Sequence, residues 1–180
     1  MKDSFIMNYL RQLDYKLMRL INGLAKHSKW LDYLGIFAAV YLIWIMAAVA
    51  LSVFFFVPKN INRLRYLLVL LASGVGGYLI ATMIGLTYGR ARPFLSFDGL
   101  NQLIATSFSH KSFPSSHATL AFALAFAVLM FNKPVGIVMI VLACLVAWGR
   151  VYVGVHYPLD VVAGAILGAL VSLVVYKLLI

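Results

Sequence analysis

Acidic side chains are nearly missing from this sequence. It contains no glutamate, and its acids are five aspartates scattered over 180 residues: Asp3, Asp14, Asp32, Asp98 and Asp160. Magnesium and calcium are held by several oxygen ligands, carboxylates among them, brought together; no acidic cluster of this chain could do so. Cysteine is almost absent as well. Cys144 stands alone inside an apolar run, which excludes a disulfide framework and leaves the redox compartment unread. Charged residues amount to only 11% of the chain, too few for a surface that faces water on all sides. No uninterrupted apolar core followed by a small-residue cleavage site marks the beginning as a signal peptide.

Hydrocarbon fills the space these absences leave. Hydrophobic residues make up 64% of the chain, against roughly half in a soluble domain. Several runs reach the length of about 20 residues that a bilayer crossing needs. The expectation is an all-α integral membrane bundle of one domain, residues 1–180. Fifteen Lys and Arg give a formal charge of +10. Nucleic acid would be the first thought for a soluble protein of that charge. Here the cations serve membrane lipid headgroups or an anionic substrate, and their positions decide between the two.

The segment 4–25 repeats apolar residues at three- and four-residue steps (Ile6, Leu10, Leu13, Leu17, Ile21, Leu24), with Asn8, Arg11, Gln12, Arg19 and Asn22 largely on the other side. That pattern predicts an amphipathic helix in the membrane interface. Five apolar runs follow within 31–180: Leu31–Phe56, Tyr66–Leu86, Ser115–Phe131, Val135–Trp148 and Pro158–Ile180. Backbone groups in lipid must be paired internally, so each run is read as a transmembrane helix. Gly164 and Gly168, spaced as GxxxG, suit close helix packing. The one long connection, Tyr88–Pro114, carries "GRARPF", Asp98, His110, Lys111 and "FPSSH", while "WGRVYVGVHYPLD" joins the last two helices. An even number of crossings separates these segments, so both emerge on one membrane face.

Each polar residue there has an ordinary explanation. Asp160, in the first turn after Pro158, suits the helix dipole, but it also stands where it could accept a proton from a ring nitrogen of His156 and raise the basicity of the other. Ser115 and Ser116 cap a helix start, yet such a start also binds phosphate, and His117 beside it could protonate a departing oxygen. Arg92 and Arg150 could snorkel to headgroups, but their forks match phosphate oxygens. Two arginines, two histidines, a serine-capped helix start and an aspartate on one face point to a phosphate-handling site.

The spacing resembles the type 2 phosphatidic acid phosphatase superfamily, whose signature runs K-x6-RP, PSGH and SR-x5-H-x3-D. The chain supplies Arg92-Pro93, then "PSSH" from Pro114 to His117, then "GRVYVGVHYPLD" with Arg150, His156 and Asp160 in register. It departs at Gly85, where the pattern has lysine, at Gly149 and at Ser116; Arg90 or Lys111 is the candidate replacement for the lysine. The resemblance implies that His156 attacks phosphorus with Asp160 orienting it, that His117 protonates the leaving group, and that Arg92, Arg150 and the backbone around Ser115 and Ser116 hold the phosphoryl oxygens. It implies no metal and no other cofactor. It is most like the bacterial undecaprenyl pyrophosphate phosphatases, with phosphatidylglycerophosphate, phosphatidate or lipid A phosphatases as alternatives. A small anion transporter would need polar residues continuing through the helix interiors, which are nearly bare of charge. Nothing in the sequence bears on oligomeric state.

Orientation turns on how the cations divide between the two faces. The site face collects ten of the fifteen cations, and Lys59, Arg63, Arg65, Lys133 and Lys177 lie opposite. Setting aside Arg90, Arg92, Lys111 and Arg150 as phosphate ligands leaves six against five, too close for the positive-inside rule to decide. The family resemblance implies a bacterial inner-membrane protein with an extracytoplasmic site.

Overall fold

The computed structural model describes residues 2–56, 62–106 and 108–180; Lys59, assigned above to the face opposite the site, and the side chain of Ile6 lie outside the described residues. The described chain is all-helical. An N-terminal helix, α1 (Lys2–Asn22), precedes α2 (Lys29–Ile36), which passes through a π-helical turn (Phe37–Tyr41) into α3 (Leu42–Phe56). Next come α4 (Arg63–Tyr88), the single turn α5 (Pro93–Ser96), α6 (Ser116–Leu129), α7 (Lys133–Tyr152) and α8 (Pro158–Leu179). Four helical stretches, Lys29–Phe56, Arg63–Ser96, Lys133–Tyr152 and Pro158–Leu179, are long and apolar enough to span a membrane.

The fifth apolar helix, α6, has only 14 residues, about 21 Å at 1.5 Å per residue against a hydrocarbon core of about 30 Å. It is the centre of the bundle, packed against α3, α4, α7 and α8. Ala118, Ala121, Ala123, Ala125 and Ala127 have no exposed surface, and their small side chains let four neighbours approach one axis. Leucines, aromatics and valines on the outer helices remain exposed, as lipid-facing positions should.

Gly164 lies against Ser115 and Ala118, Gly168 lies against Thr119 and Ala123, and the Ser172 hydroxyl donates to the Ala123 carbonyl. Both contact series ascend together, so α6 and α8 run parallel and begin at one end of the bundle. The ends of α4 and α7 lie at that same end, where the parity of the crossings puts them.

The N-terminal helix departs from its expected role in one respect. Leu10, Leu13, Leu17, Leu20 and Leu24 face outward as an interfacial helix requires, and Arg11, Gln12 and Arg19 are exposed. Asn22, however, is buried together with Asp14 and Met18. Its amide donates to the carbonyls of Asn101 and Tyr152, each at 2.8 Å, and accepts from the Asn101 N–H at 2.9 Å. A simple two-sided reading misses this third, inward strip, where Asn22 and Asp14 find their partners on other parts of the chain.

At Gly168 a Cβ would collide with the backbone of Thr119 and lie 2.8 Å from the nitrogen of Ala123, whereas nothing lies within 4 Å of one at Gly76. Gly168→Val is expected to cost about 1–3 kcal/mol and Gly76→Ala to stay within about 0.5 kcal/mol. Thermal unfolding in detergent checks this; equal midpoints for the two variants would refute the α6–α8 contact.

Candidate active site

Local sequence fixes where each polar side chain starts. Gly89, at a φ of 64°, ends α4 in the left-handed conformation that glycine adopts freely. Pro93 and Pro158 each open a helix and hold the preceding residue, Arg92 or Tyr157, extended. Ser115 caps α6 through its hydroxyl.

These elements surround a cavity of about 540 Å³ whose walls include Arg92, Lys111, Ser116, His117, Arg150 and His156. His156 is 2% exposed. Its Nδ1 lies 2.8 Å from the Ser112 carbonyl oxygen, which can only accept, so Nδ1 carries the proton and Nε2 keeps its lone pair. Nε2 is 3.2 Å from an Arg92 guanidinium nitrogen. Arg92 is itself fixed by the carbonyls of Phe108 and Val155, both at 2.7 Å. Arg150 donates to the Ala39 carbonyl in the π-helical turn at 3.2 Å, while its buried Nε has no partner among the described residues. Gly149, which stands where the motif has serine, packs directly on Ala38 and Ala39.

Lys111 reaches the same cavity from the loop. It is 7% exposed, and Nζ donates to Thr82 Oγ1 at 3.0 Å, between the rings of Tyr78 and Phe108. Its stem crosses α4 at Gly85, where a Cβ would lie 2.7 Å from Lys111 Cγ. The position that the motif gives to a helical lysine is therefore a notch occupied by a loop lysine. Burial and the charge of Arg92 hold the Lys111 ammonium below the ordinary lysine range, a penalty that an anion in the cavity relieves.

Three sequence expectations need correction. Arg90 is not in the cavity wall; it pairs with Asp14 at 2.8 Å and Asp160 at 2.5 Å, with its guanidinium over the Tyr157 ring. Ser115 is fully buried and its N–H donates to the Asp160 carbonyl at 3.0 Å, so it cannot also hold a phosphoryl oxygen. Asp160 does not hydrogen-bond to His156, since its Oδ2 lies 3.7 Å from Nδ1. As the third residue of α8 it folds back to accept the Tyr157 N–H at 2.9 Å, and it accepts the Ser112 hydroxyl at 2.6 Å. Ser112 thus stands between them, accepting from the histidine and donating to the aspartate. Ser112, Asp14 and Thr82 have no mark in the sequence, where a loop serine, an interfacial acid and a helical threonine carry no signal.

A second recess of about 450 Å³ adjoins the first. Ile43, Trp44, Ala47 and Leu51 of α3 face Leu70, Leu71, Gly74, Val75 and Tyr78 of α4, with Leu120 and Leu124 of α6 at its floor. It is almost wholly apolar. His117 and Tyr78 belong to the walls of both recesses.

Burial pushes the His156 imidazole down to about 4, helped by Arg150 and Arg92 and opposed by Asp160. Between the unfolded value of about 6.5 and 4, the unfolded chain takes a proton that folded His156 refuses. Stability is therefore complete above that window and falls as pH drops through it. Asp14, whose carboxyl burial pushes up, works in the opposite sense near the lower edge. Thermal midpoints measured from pH 7 to 4 should fall more steeply for the wild type than for His156→Gln; parallel curves would contradict a buried, neutral histidine.

Comparison with known proteins supplies the remaining evidence. The bacitracin transport permease protein BcrC of Bacillus licheniformis is 34% identical over 165 residues, covering 92% of this chain and 80% of the relative. The undecaprenyl-diphosphatase BcrC of Bacillus subtilis is 28% identical over 165 residues, covering 92% and 83%. In fold, the chain is similar to the crystal structure of Aquifex aeolicus LpxE, with a TM-score of 0.74, 24% identity and coverage of 92% and 95%. Residues 63–179, which hold both histidines and all the cations of the cavity, match the family model of the PAP2 superfamily. By these matches, the chain is a membrane-embedded hydrolase of the PAP2 superfamily.

Proposed function

We propose that this protein removes the terminal phosphate from a polyprenyl diphosphate, undecaprenyl diphosphate being the substrate of first choice. The observation that carries the reading is the shared wall at His117. On one side Arg92, Lys111 and Arg150 face a cavity into which no carboxylate points among the described residues. On the other, an apolar groove opens between α3 and α4. A phosphorylated lipid fits both at once, with its tail in the groove and its headgroup among the cations. Three cations suit a diphosphate better than a single phosphate, and the similarity to an undecaprenyl-diphosphatase supports the same choice.

On this reading His156 Nε2 attacks the terminal phosphorus as the bond to the bridging oxygen breaks, and His117 gives that oxygen a proton. Water then attacks the phosphohistidine, His117 takes one of its protons, the phosphorus–nitrogen bond breaks and phosphate leaves. Arg92, Arg150, Lys111 and the free N–H groups at the start of α6, beside Ser116, stabilise the charge that gathers on the phosphoryl oxygens. No step calls for a metal. Asp14 and Asp160, the buried acids, are both committed to Arg90. On this reading the protein lies in a bacterial cytoplasmic membrane with this cavity on the extracytoplasmic side.

Purified protein is expected to release phosphate from undecaprenyl diphosphate faster than from phosphatidylglycerophosphate, equally well with chelator present. His156→Ala should lose about a thousandfold or more in turnover; unaltered turnover in that variant, or abolition by chelator, overturns the mechanism. A preference for the glycerolipid overturns the substrate. Lys111→Ala and Gly85→Leu, which drives the same lysine stem out of its notch, are each expected to cost about tenfold in kcat/KM, the equivalent of one charged hydrogen bond. If neither moves it, Lys111 does not touch the substrate.

Membrane sidedness has its own test. In a Cys144→Ala background, Asp98→Cys should react with a membrane-impermeant thiol reagent on intact cells. Labelling only after lysis places the cavity on the cytoplasmic side instead.

A further inference from the structure

Asp14 belongs to α1, outside the segment that matches the family, yet it is 2% exposed at the catalytic end of the bundle. Its two oxygens are used separately. Oδ2 receives Arg90 Nη2 at 2.8 Å, and Oδ1 receives the N–H of Leu159 at 2.8 Å, in the first turn of α8. The carboxylate therefore holds the residue beside Asp160 directly and holds Asp160 itself through Arg90, whose other guanidinium nitrogen is on Asp160 Oδ1 at 2.5 Å. A negative charge at the N-terminus of α8 is also favourable to that helix.

Asp160 passes this constraint to both histidines. Its Oδ2 takes the Ser112 hydroxyl, and the Ser112 carbonyl takes His156 Nδ1. Its main-chain carbonyl takes the Ser115 N–H, at the start of the helix that carries His117. Farther along α1, Asn22 is tied to Asn101 and Tyr152, so the helix is fastened at two points and Asp14 has little freedom.

We propose that Asp14 is a positioning residue for phosphoryl transfer: α1 acts through it and Arg90 to set where Asp160, Ser112 and the two histidines stand. This rests on the hydrolase reading above. The N-terminal helix is then part of the catalytic device as well as a membrane contact, and its docking is a precondition for turnover.

The test uses the full-length protein in detergent, with Asp14→Asn, Asp14→Glu, Arg90→Ala and the double variant Asp14→Asn/Arg90→Ala, each retaining the wild-type elution profile. Asparagine keeps an oxygen for Leu159 but turns an amide N–H₂ toward the Arg90 donor. With whichever lipid phosphate the wild type hydrolyses, Asp14→Asn should lower kcat about tenfold or more, the rate equivalent of a charge-assisted hydrogen bond, with KM unchanged. Asp14→Glu should recover part of the loss. The double variant should be no slower than Arg90→Ala alone, because the two side chains act as one unit.

Wild-type kcat in Asp14→Asn, a loss confined to KM, or effects that multiply in the double variant would each overturn the proposal. Nitrogen NMR of labelled histidine gives a readout independent of turnover. His156 should be the Nδ1-protonated tautomer in the wild type and a tautomer mixture in Asp14→Asn. An unchanged spectrum overturns the positioning role. The expected change in a wild type inactive on every lipid phosphate sinks the assigned reaction but supports the positioning.

Discussion

A carboxylate withdrawn from water is costly unless donors surround it, and the architecture of this site follows from how Asp160 meets that condition. It has no exposed surface, and it accepts from Arg90, the Ser112 hydroxyl and the Tyr157 N–H. Those donors come from the end of α4, from the loop before α6 and from the start of α8. One buried charge thus gathers three of the parts of the chain that bear polar residues of the cavity, Arg150 coming from α7. Removing the carboxylate would take from Arg90 one of its two acids and leave the Ser112 hydroxyl and the Tyr157 N–H without their acceptor. Its place in the fold is earned by what it assembles rather than by direct contact with the histidine.

The same economy governs the cations. With no glutamate and five aspartates in the whole chain, compensation of positive charge is rationed. Arg90 takes two aspartates, while Arg92 and Arg150 make do with backbone carbonyls and Lys111 with a threonine hydroxyl. Dipoles hold these groups in place but leave their charge uncancelled, and like charges in a common cavity raise one another's need for an anion. The scarcity of acids seen in the composition thereby becomes an electrostatic property of the site.

Much of this was legible in the sequence because membranes restrict the choices. Helix is the only economical backbone state for a long apolar run outside a closed barrel, so the five runs were visible, and counting crossings placed Arg92, His117, Arg150 and His156 at one end. Side-chain partnerships were less legible. Lys111 and Arg90 look equivalent as replacements for the lysine missing at Gly85, and only the notch in α4 and the location of Asp14 separate them. Ser112 reads as an ordinary loop serine, since its carbonyl matters more than its side-chain type. Asp14 reads as the wet side of an amphipathic helix, because periodicity gives the angle of a residue around its axis but not the neighbour it meets. The π-helical turn at Phe37–Tyr41, which offers Ala39 to Arg150, has no mark in an unbroken apolar run.

The wall that His117 and Tyr78 share between two unlike recesses bears on how a catalytic cycle ends. Cleavage on the proposed reading makes one fragment that prefers oil and another that prefers water, at the meeting point of a greasy slot and a chamber walled by cations. Each fragment then has a route of its own, sideways for the shortened lipid and outward for the inorganic ion. The lipid tail need not cross the cations to leave, nor the ion the apolar groove, and the next headgroup enters once the ion has vacated the cations.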